Sequence, residues 1–300
     1  MKEIVVISGK GGAGKTSLAA SLAALAGRAV AADCDVDAAD LHLVMSPRTI
    51  RAENFFGGKK ASVNPARCSG CGRCKDLCRF EAITRDEEGS VYEVDALSCE
   101  GCGVCSYFCP EKAIDFKLVV NGQWFVSDTP YGPMVHARLG VAEENSGKLV
   151  ALVRKQARII AEREGIPFII VDGPPGLGCP VIASITGADA VLIVTEPTVS
   201  GEHDMERVSR LAAYFNIPAY LCVNKYDINP GLSKKISDRA RADGLKVLGG
   251  IHYDRSVTEA QIKKQPVAAL NGSTASEDMR KIWINLVDQI KKEKREEGRV

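Results

Sequence analysis

Residues 4–20, IVVISGKGGAGKTSLAA, constrain the fold more than any other stretch of the chain. The apolar run Ile4-Val5-Val6-Ile7 leads into a loop that satisfies G-x-x-x-x-G-K-[ST] at Gly9, Gly14, Lys15 and Thr16, and Ser17-Leu18-Ala19-Ala20 opens a helix. Strand, glycine loop and helix in that order are the context in which this motif works. Glycines let backbone N–H groups turn inward around phosphate oxygens, and the helix N-terminus adds partial positive charge. Gly9, Lys10, Gly11, Gly12, Ala13, Gly14, Lys15, Thr16 and Ser17 are therefore expected to hold a nucleotide. Lys15 would neutralise the β- and γ-phosphates and Thr16 would ligate Mg2+. Such a loop needs one lysine, so Lys10 is left over and requires a separate account.

Further apolar runs follow. AVAADCDVDAADLHL at 29–43 starts as a buried strand and ends in acidic residues, as a strand tip facing a nucleotide would. PFIIVDGPPGLG at 167–178 carries Asp172 to the end of a strand and into a Gly/Pro turn, the pattern of a Mg2+-holding aspartate before a switch loop. DAVLIVTEPT at 189–198 and PAYLCVNKYD at 218–227 read as buried strands separated by a helix over 201–215. Apolar runs alternating with amphipathic helices predict an α/β fold, a doubly wound, mostly parallel sheet with its site at the C-terminal strand ends. EENSGKLVALVRKQARIIAERE, with NSGK as a helix start, has leucine, valine and isoleucine at helical spacing and should pack on that sheet. Met279, Ile282, Trp283, Leu286, Val287 and Ile290 form a second apolar stripe, before KKEKREEGRV. The mixed-sign tail favours core packing over membrane docking.

The middle of the chain has a different chemistry. Of eleven cysteines, eight fall between Cys68 and Cys109, leaving Cys34, Cys179 and Cys222 elsewhere. ARCSGCGRCKDLCRFEAIT at 66–84 and LSCEGCGVCSYFCPEKAID at 97–115 are an internal repeat offset by 31 residues. Each contains C-x2-C-x2-C-x3-C, which in bacterial two-cluster ferredoxins gives three thiolates to one [4Fe–4S] cluster and the fourth to the other. On that pattern Cys68, Cys71, Cys74 and Cys109 hold one cluster, and Cys78, Cys99, Cys102 and Cys105 hold the second. Zinc is the competing reading of C-x2-C pairs, and this dense crossed spacing suits it less well. Gly70, Gly72, Gly101 and Gly103 leave space and let amides point at sulfur. Arg79, where the second run has Pro110, is expected to put a cation beside the cluster that Cys78 serves and to make the two potentials unequal. The expected organisation is a discontinuous P-loop NTPase domain over 1–60 and 120–300, with an inserted bacterial-ferredoxin-like α+β domain at 61–119.

Together GKGGAGKTSLA, DCDVDAADLHL, both cysteine runs, TPYGPMVHARLG, EENSGKLV, VDGPPGLGCPV and VNKYDIN resemble the ParA/MinD superfamily of deviant Walker-A ATPases. The resemblance is closest to its branch with an inserted ferredoxin domain. It implies that Lys10 reaches across a two-fold interface to phosphates bound by the other subunit, a cation supplied in trans to the charge that develops in phosphoryl transfer. It also implies that Asp35 orients the attacking water, that Asp172 holds the Mg2+ shell, and that Asp33 supports the switch. Asp40 stands where the wider superfamily often has Asn. Asn224 would meet the base, and NKYD, ending in Asp227, looks like the guanine-reading N-K-x-D, which keeps GTP as an alternative to ATP. A relative, the nitrogenase iron protein, has a cluster-ligating cysteine at a spacing comparable to Cys179, so an interfacial ligand stands beside the reading of Cys179 as a small buried residue. Cys34 and Cys222 are expected in the core, and His136 is a structural residue or, alternatively, a metal or partner contact.

Charge is nearly balanced, 39 basic against 38 acidic residues, so no nucleic-acid partner is expected. The first strand starts at Glu3 without a cationic or apolar leader, and no stretch approaches bilayer-spanning length, so the expectation is a cytoplasmic protein with no membrane partner. The leading function is an ATP-dependent dimeric switch carrying two [4Fe–4S] clusters in metallocluster assembly, maturation or delivery. It would work as a homodimer or as a heterodimer with a paralogue, acting on a redox or apo-metalloprotein client. An ATP-gated electron donor and a spatial organiser of the partitioning kind are the alternatives, and eight cluster ligands are superfluous for the last.

Overall fold

The computed structural model of the protein describes residues 1–87, 89–140 and 146–297. The chain divides into two compact units, one of Met1–Ala52, Trp124–Arg138 and Ser146–Val300, the other of Glu53–Gln123 and Leu139–Asn145. In chain order the first unit opens with β1 (Lys2–Ser8), α1 (Lys15–Leu25), β2 (Val30–Asp33), α2 (Leu41–Met45) and β3 (Arg48–Phe55). The second contains β4 (Gly58–Val63), α3 (Arg73–Asp76), β5 (Ile83–Arg85), β6 (Tyr92–Val94), α4 (Val104–Phe108) and β7 (Ile114–Val119). The chain then runs through β8 (Gly122–Thr129), β9 (Gly132–Leu139), α5 (Ser146–Glu164), β10 (Phe168–Pro175), α6 (Cys179–Ile185), β11 (Ala190–Thr195) and α7 (Val199–Tyr214). It ends with β12 (Ala219–Asn224), α8 (Pro230–Ala242), β13 (Lys246–Ile251), α9 (Ser256–Ile262) and α10 (Thr274–Glu297).

The strand order in the large sheet is β13-β12-β11-β1-β10-β2-β9-β8-β3. Its centre is parallel: β1 pairs with β10 on one side and β11 on the other, and β10 pairs with β2. These central strands are apolar on both faces and buried throughout, as strands covered by helices on both sides must be. The strand order reverses at β1, which opens the ligand crevice of a doubly wound sheet beyond that strand's C-terminal end. The register aligns Val6 with Asp172 and Asp172 with Asp33, so both aspartates stand beside the glycine loop that leaves β1.

The expected α/β architecture is the one observed. On α10, Met279, Ile282, Leu286 and Ile290 are buried in the main core, which accounts for the apolar stripe by packing. No helix among the described residues is long and apolar enough to cross a membrane. The α5 face of Leu149, Val150, Val153 and Ala157 is buried, whereas Asn145 of the expected helix start lies outside the described residues. Cys34 and Cys222 are fully buried.

In the second unit β4 pairs antiparallel with β7, from Gly58 opposite Val119 to Val63 opposite Ile114, and β5 pairs with β6. The β4–β7 ladder brings the two ends of the cysteine-rich segment together, the condition under which loop closure costs little. Its buried apolar residues are few, among them Phe55, Ala61, Ala82, Ile83, Tyr92, Ala113 and Ile114.

A buried ionic cluster ties the first unit together where β1 begins. Arg154 on α5 donates from Nε to Glu3 Oε1 at 2.6 Å and from one terminal nitrogen to the carbonyls of Ala183 and Thr186, at 2.7 and 2.8 Å, at the end of α6. Arg158 takes the other Glu3 oxygen at 2.7 Å. Removing one partner leaves a buried charge undercompensated, so Arg154→Met is expected to destabilise this unit by about 3–5 kcal/mol. A urea midpoint for its unfolding measures this, and a cost below about 1 kcal/mol would class the cluster with surface ion pairs.

Candidate functional site

Gly14 caps α1 in the left-handed region, φ 89°, and the space that a Cβ would fill there is taken by the Asn224 amide. The loop therefore turns onto the helix where any larger residue would meet both strain and a clash. Asn224, at the end of β12, donates to the Ala13 carbonyl at 2.9 Å and accepts from the Lys225 amide at 3.0 Å. Its polar atoms brace the loop from below. Asp227 accepts from the Tyr253 amide at 2.7 Å. The next residue back, Tyr226, donates to or accepts from His252 at 2.7 Å, and His252 meets Asp278 at 2.6 Å, so this strand-end turn is fastened at several points.

Four charged groups converge beyond β1, β2 and β10. Lys15 is buried and its Nζ lies 2.7 Å from Asp35 Oδ2 and 3.7 Å from Asp172 Oδ1. Burial pulls the Lys15 pKa down, but the charge of Asp172 and the hydrogen bond to Asp35 outweigh it and lift it above its ordinary value. Asp33 is fully buried and accepts from the amides of Asp35 at 3.2 Å and Leu41 at 3.0 Å, closing the loop between them. Burial, then the charge of Asp172, push its carboxyl well above the usual range. Asp172 is raised to about 6, chiefly by burial and against the pull of Lys15. Among the described residues neither Asp172 oxygen finds a hydrogen-bond donor. A buried carboxylate that no donor reaches at full hydrogen-bond distance, with the Thr16 hydroxyl as its polar neighbour, fits a divalent cation, and Thr16 and Lys15 line a cavity beside it.

That cavity measures about 890 Å³ and runs from Gly11–Ser17 past Asp35 and Asp40 to Pro174 and Gly178. Gln261 and Lys264 of the α9 region also line it, and sequence reasoning did not single them out. Lys10 is placed differently from Lys15. It is partly exposed, with Nζ 3.6 Å from Glu196 Oε2, 3.3 Å from Thr198 Oγ1 and 3.4 Å from Ser200 Oγ. Glu196 simultaneously pairs with Lys225 at 2.6 Å. Glu196 was missed because nothing in TEPT distinguishes it from a solvated carboxylate.

In the second unit the eight cysteines sort into two cavities. Cys68, Cys71, Cys74 and Cys109 line one, and Cys78, Cys99, Cys102 and Cys105 line the other. In each set the fourth thiol comes from the opposite repeat. Gly101 sits at φ 63°, with the Lys59 carbonyl where a Cβ would stand, so the second repeat's loop closes against β4 only as glycine. The Ala113 amide donates to Cys109 Sγ at 3.3 Å. Burial, and the nearby Cys99 and Cys102, push the Cys105 thiol up to about 11. No three Cys, His, Asp or Glu side chains among the described residues converge closely enough to hold a single ion.

Two expectations change, and a third, at His136, holds. Cys179 is exposed, not a small buried residue, because it occupies the first position of α6 directly after Gly178. Arg79 is exposed and does not line the cavity of Cys78, to which Phe80 turns instead. His136 lies between strands, with Nε2 3.0 Å from Ser127 Oγ and its ring stacked 4.9 Å from Phe125. It is a packed residue of β9, as its structural reading expected, with the His42 ring stacked 6.2 Å away as a second ring contact.

The chain is matched over residues 4–267 by the CobQ/CobB/MinD/ParA nucleotide binding domain. It is 35% identical to an uncharacterized protein of Methanocaldococcus jannaschii over 76% of this chain and 79% of that relative. It is also 26% identical to the iron-sulfur cluster carrier protein of Pyrococcus abyssi, over 50% of this chain and 55% of that one. Among solved structures, the septum site-determining protein MinD of Pyrococcus horikoshii, complexed with Mg-ADP, superposes with a TM-score of 0.58 at 17% identity, covering 95% of each chain. The last likeness is one of fold.

Burial, with a smaller effect of His42, lowers the His136 pKa from 6.5 to about 4. Its contribution to stability is thus fully present above the unfolded value and is lost as pH falls through the folded one. NMR titration of its Cε1 proton should give a midpoint near 4, and His136→Gln should flatten the fall in urea stability between pH 6.5 and about 4. A midpoint near 6.5 would mean that the imidazole is free to take another partner.

Proposed function

The chain belongs to the CobQ/CobB/MinD/ParA nucleotide-binding family, and from that premise we propose that it is an ATP-dependent dimeric switch carrying two [4Fe–4S] clusters for assembly or delivery to a client protein. The observation that carries this reading is the division of eight cysteines into two crossed sets of four, each around its own cavity. Four thiols around each cavity, drawn from dense crossed runs, suit a multi-iron cluster better than mononuclear zinc. The clusters, when bound, supply iron, sulfide and one-electron capacity. The second unit's small apolar core supports a stabilising metal as well, since so slight a core rarely suffices alone. Similarity to iron-sulfur cluster carrier proteins of Pyrococcus abyssi and Methanocaldococcus jannaschii favours delivery over electron donation.

In the nucleotide site Gly9 to Ser17 cradle the phosphates, Lys15 neutralises them, and Thr16 with Asp172 holds Mg2+. Asp35, hydrogen-bonded to Lys15 in this structure, is freed to orient water once that lysine turns to phosphate. Asp33 keeps the loop that carries Asp35 in place through the Asp35 and Leu41 amides. Asn224 acts through the loop that it braces. Lys10, resting on Glu196 at the surface, is the group available to a partner subunit.

Anaerobically prepared protein is expected to hold about eight iron atoms per chain with [4Fe–4S] EPR signals. An iron count near zero, or stoichiometric zinc, overturns the cluster assignment. Lys10→Ala is expected to retain nucleotide binding, to lose ATP-dependent dimerisation in sedimentation, and to slow phosphate release by about 10³-fold or more. Normal hydrolysis with normal dimerisation would remove Lys10 from the site.

A further inference from the structure

The internal repeat makes the two cysteine sites controls for one another. A shift of 31 residues carries Cys68, Cys71, Cys74 and Cys78 onto Cys99, Cys102, Cys105 and Cys109, and Gly72 onto Gly103. Position by position the thiols of the two sites are alike in exposure: Cys71 and Cys102 are exposed and the other six are half-buried. Each cavity also has one exposed carboxylate on its wall, Glu111 at the site of Cys68, Cys71, Cys74 and Cys109, and Glu100 at the site of Cys78, Cys99, Cys102 and Cys105. Thiol exposure and a wall carboxylate are thus common to both.

Hydrogen-bond donors separate the two. Gly72 and Gly103 open α3 and α4 in the left-handed region, φ 80° and 77°, and each packs on an aromatic ring. A Cβ on Gly72 would stand 3.0 Å from the Tyr92 hydroxyl, whereas one on Gly103 would stand 3.2 Å from a ring carbon of Phe116. Both rings have a cation over them, Arg85 at 5.3 Å from the Tyr92 centroid and Lys59 at 5.6 Å from that of Phe116. The aromatic ring at the first site thus differs from the one at the second by a hydroxyl. Tyr92 is only 7% exposed and lines the first cavity. Its oxygen accepts from Arg85 Nε at 2.9 Å across the β5–β6 pair, and Arg85 is fixed in turn by the Gly89 carbonyl at 2.9 Å. A hydroxyl whose oxygen is occupied by a guanidinium keeps its own proton to donate, and the cation polarises it. Ser69 and Arg73 are further donors on that wall. Among the described residues of the second cavity the one polar side chain besides the thiols is Glu100, and a carboxylate only accepts. The backbone repeats the contrast: the Ala113 amide donates to Cys109 Sγ at 3.3 Å, and among the described residues its equivalent, Ala82, makes no such bond to Cys78.

We infer that the site of Cys68, Cys71, Cys74 and Cys109 has the higher reduction potential of the two, and that Tyr92 sets the gap by donating from its hydroxyl to the sulfur held there. This rests on the reading that both sites hold clusters. One-electron reduction adds a negative charge to iron and sulfide and moves no proton. The Tyr92 O–H bond stays intact and turns the positive end of its dipole toward the added charge. Hydrogen bonds to sulfur stabilise the reduced form and so raise the potential. An electron that enters at either site therefore comes to rest at the first, and the second, without a donor side chain, is the stronger reductant when both are filled. A cation from Arg79 beside Cys78 would give the opposite order, but Arg79 lines neither cavity.

The test is an anaerobic redox titration of the full-length holoprotein followed by EPR, with dithionite as the electron source and iron content measured first. Two midpoints are expected. Tyr92→Phe is expected to lower the higher one by about tenfold in its reduction equilibrium, about 59 mV for one electron, and to leave the lower one in place. Arg85→Gln keeps the hydroxyl and removes the cation that polarises it. It is expected to lower the same midpoint by less, and it serves as the readout if Tyr92→Phe loads iron incompletely. A packing role alone would leave both midpoints where they are, because the phenyl ring fills the same space. A single midpoint for both sites of the wild-type protein, midpoints that do not move in the variants, an equal fall in both, or a fall confined to the lower one overturns the proposal. Absence of iron from the wild-type protein overturns the cluster reading instead, so the two failures are distinguishable.

Discussion

The structure depends on one electrostatic constraint, the gathering of three carboxylates around one ammonium at the ends of adjacent parallel strands. Asp33 and Asp172 are register partners on β2 and β10, Asp35 follows two residues beyond Asp33, and Lys15 reaches Asp35 from the first turn of α1. One ammonium cannot balance three buried carboxylates. The chain responds by pushing Asp33 and Asp172 toward their protonated forms and by giving two backbone amides to Asp33. Asp172 is left without a donor, a deficit that a divalent cation fills better than any side chain in reach. The topology makes this arrangement unavoidable: reversal of strand order at β1 opens the crevice where these strand ends meet, and the glycine loop sits over it.

The second unit solves a different problem, that of holding a fold with little apolar core. Its antiparallel β4–β7 ladder closes the segment on itself, and the repeats contribute short helices whose caps, Gly72 and Gly103, adopt left-handed conformations next to the thiols. Crossing of the fourth cysteine between repeats means that neither site can be completed by one repeat alone. Assembling either set of four thiols therefore requires both repeats to be folded together.

The legible parts of the sequence were those whose chemistry is local. A glycine loop between an apolar run and a helix fixes backbone donors within a few residues, and the cysteine spacings fix which thiols fall together once crossing is assumed. Asp172 was legible because four apolar residues deliver it to a strand end. The illegible parts depended on tertiary partners. A free cysteine is ordinarily a small buried residue, but the place of Cys179 at the start of α6 leaves it exposed. Asn224 and Asp227 spell a base-reading motif, yet their observed partners are the Ala13 carbonyl and the Tyr253 amide, which no spacing announces. Strand β3 escaped notice because an edge strand of mostly exposed residues carries no burial alternation.

The two lysines of the loop end in opposite environments, and the difference sorts their roles. Lys15 is held by buried carboxylates in a cluster that is already short of cations, so removing it would leave charges with no solvent to screen them. Lys10 rests 3.6 Å from Glu196, a carboxylate that Lys225 approaches to 2.6 Å, and it faces solvent. A half-exposed pair of that length contributes well under about 1 kcal/mol, and its carboxylate stays neutralised by Lys225 when Lys10 leaves. One lysine is thus fixed among the buried carboxylates of the site, whereas the other rests on Glu196, Thr198 and Ser200 in a partly exposed setting.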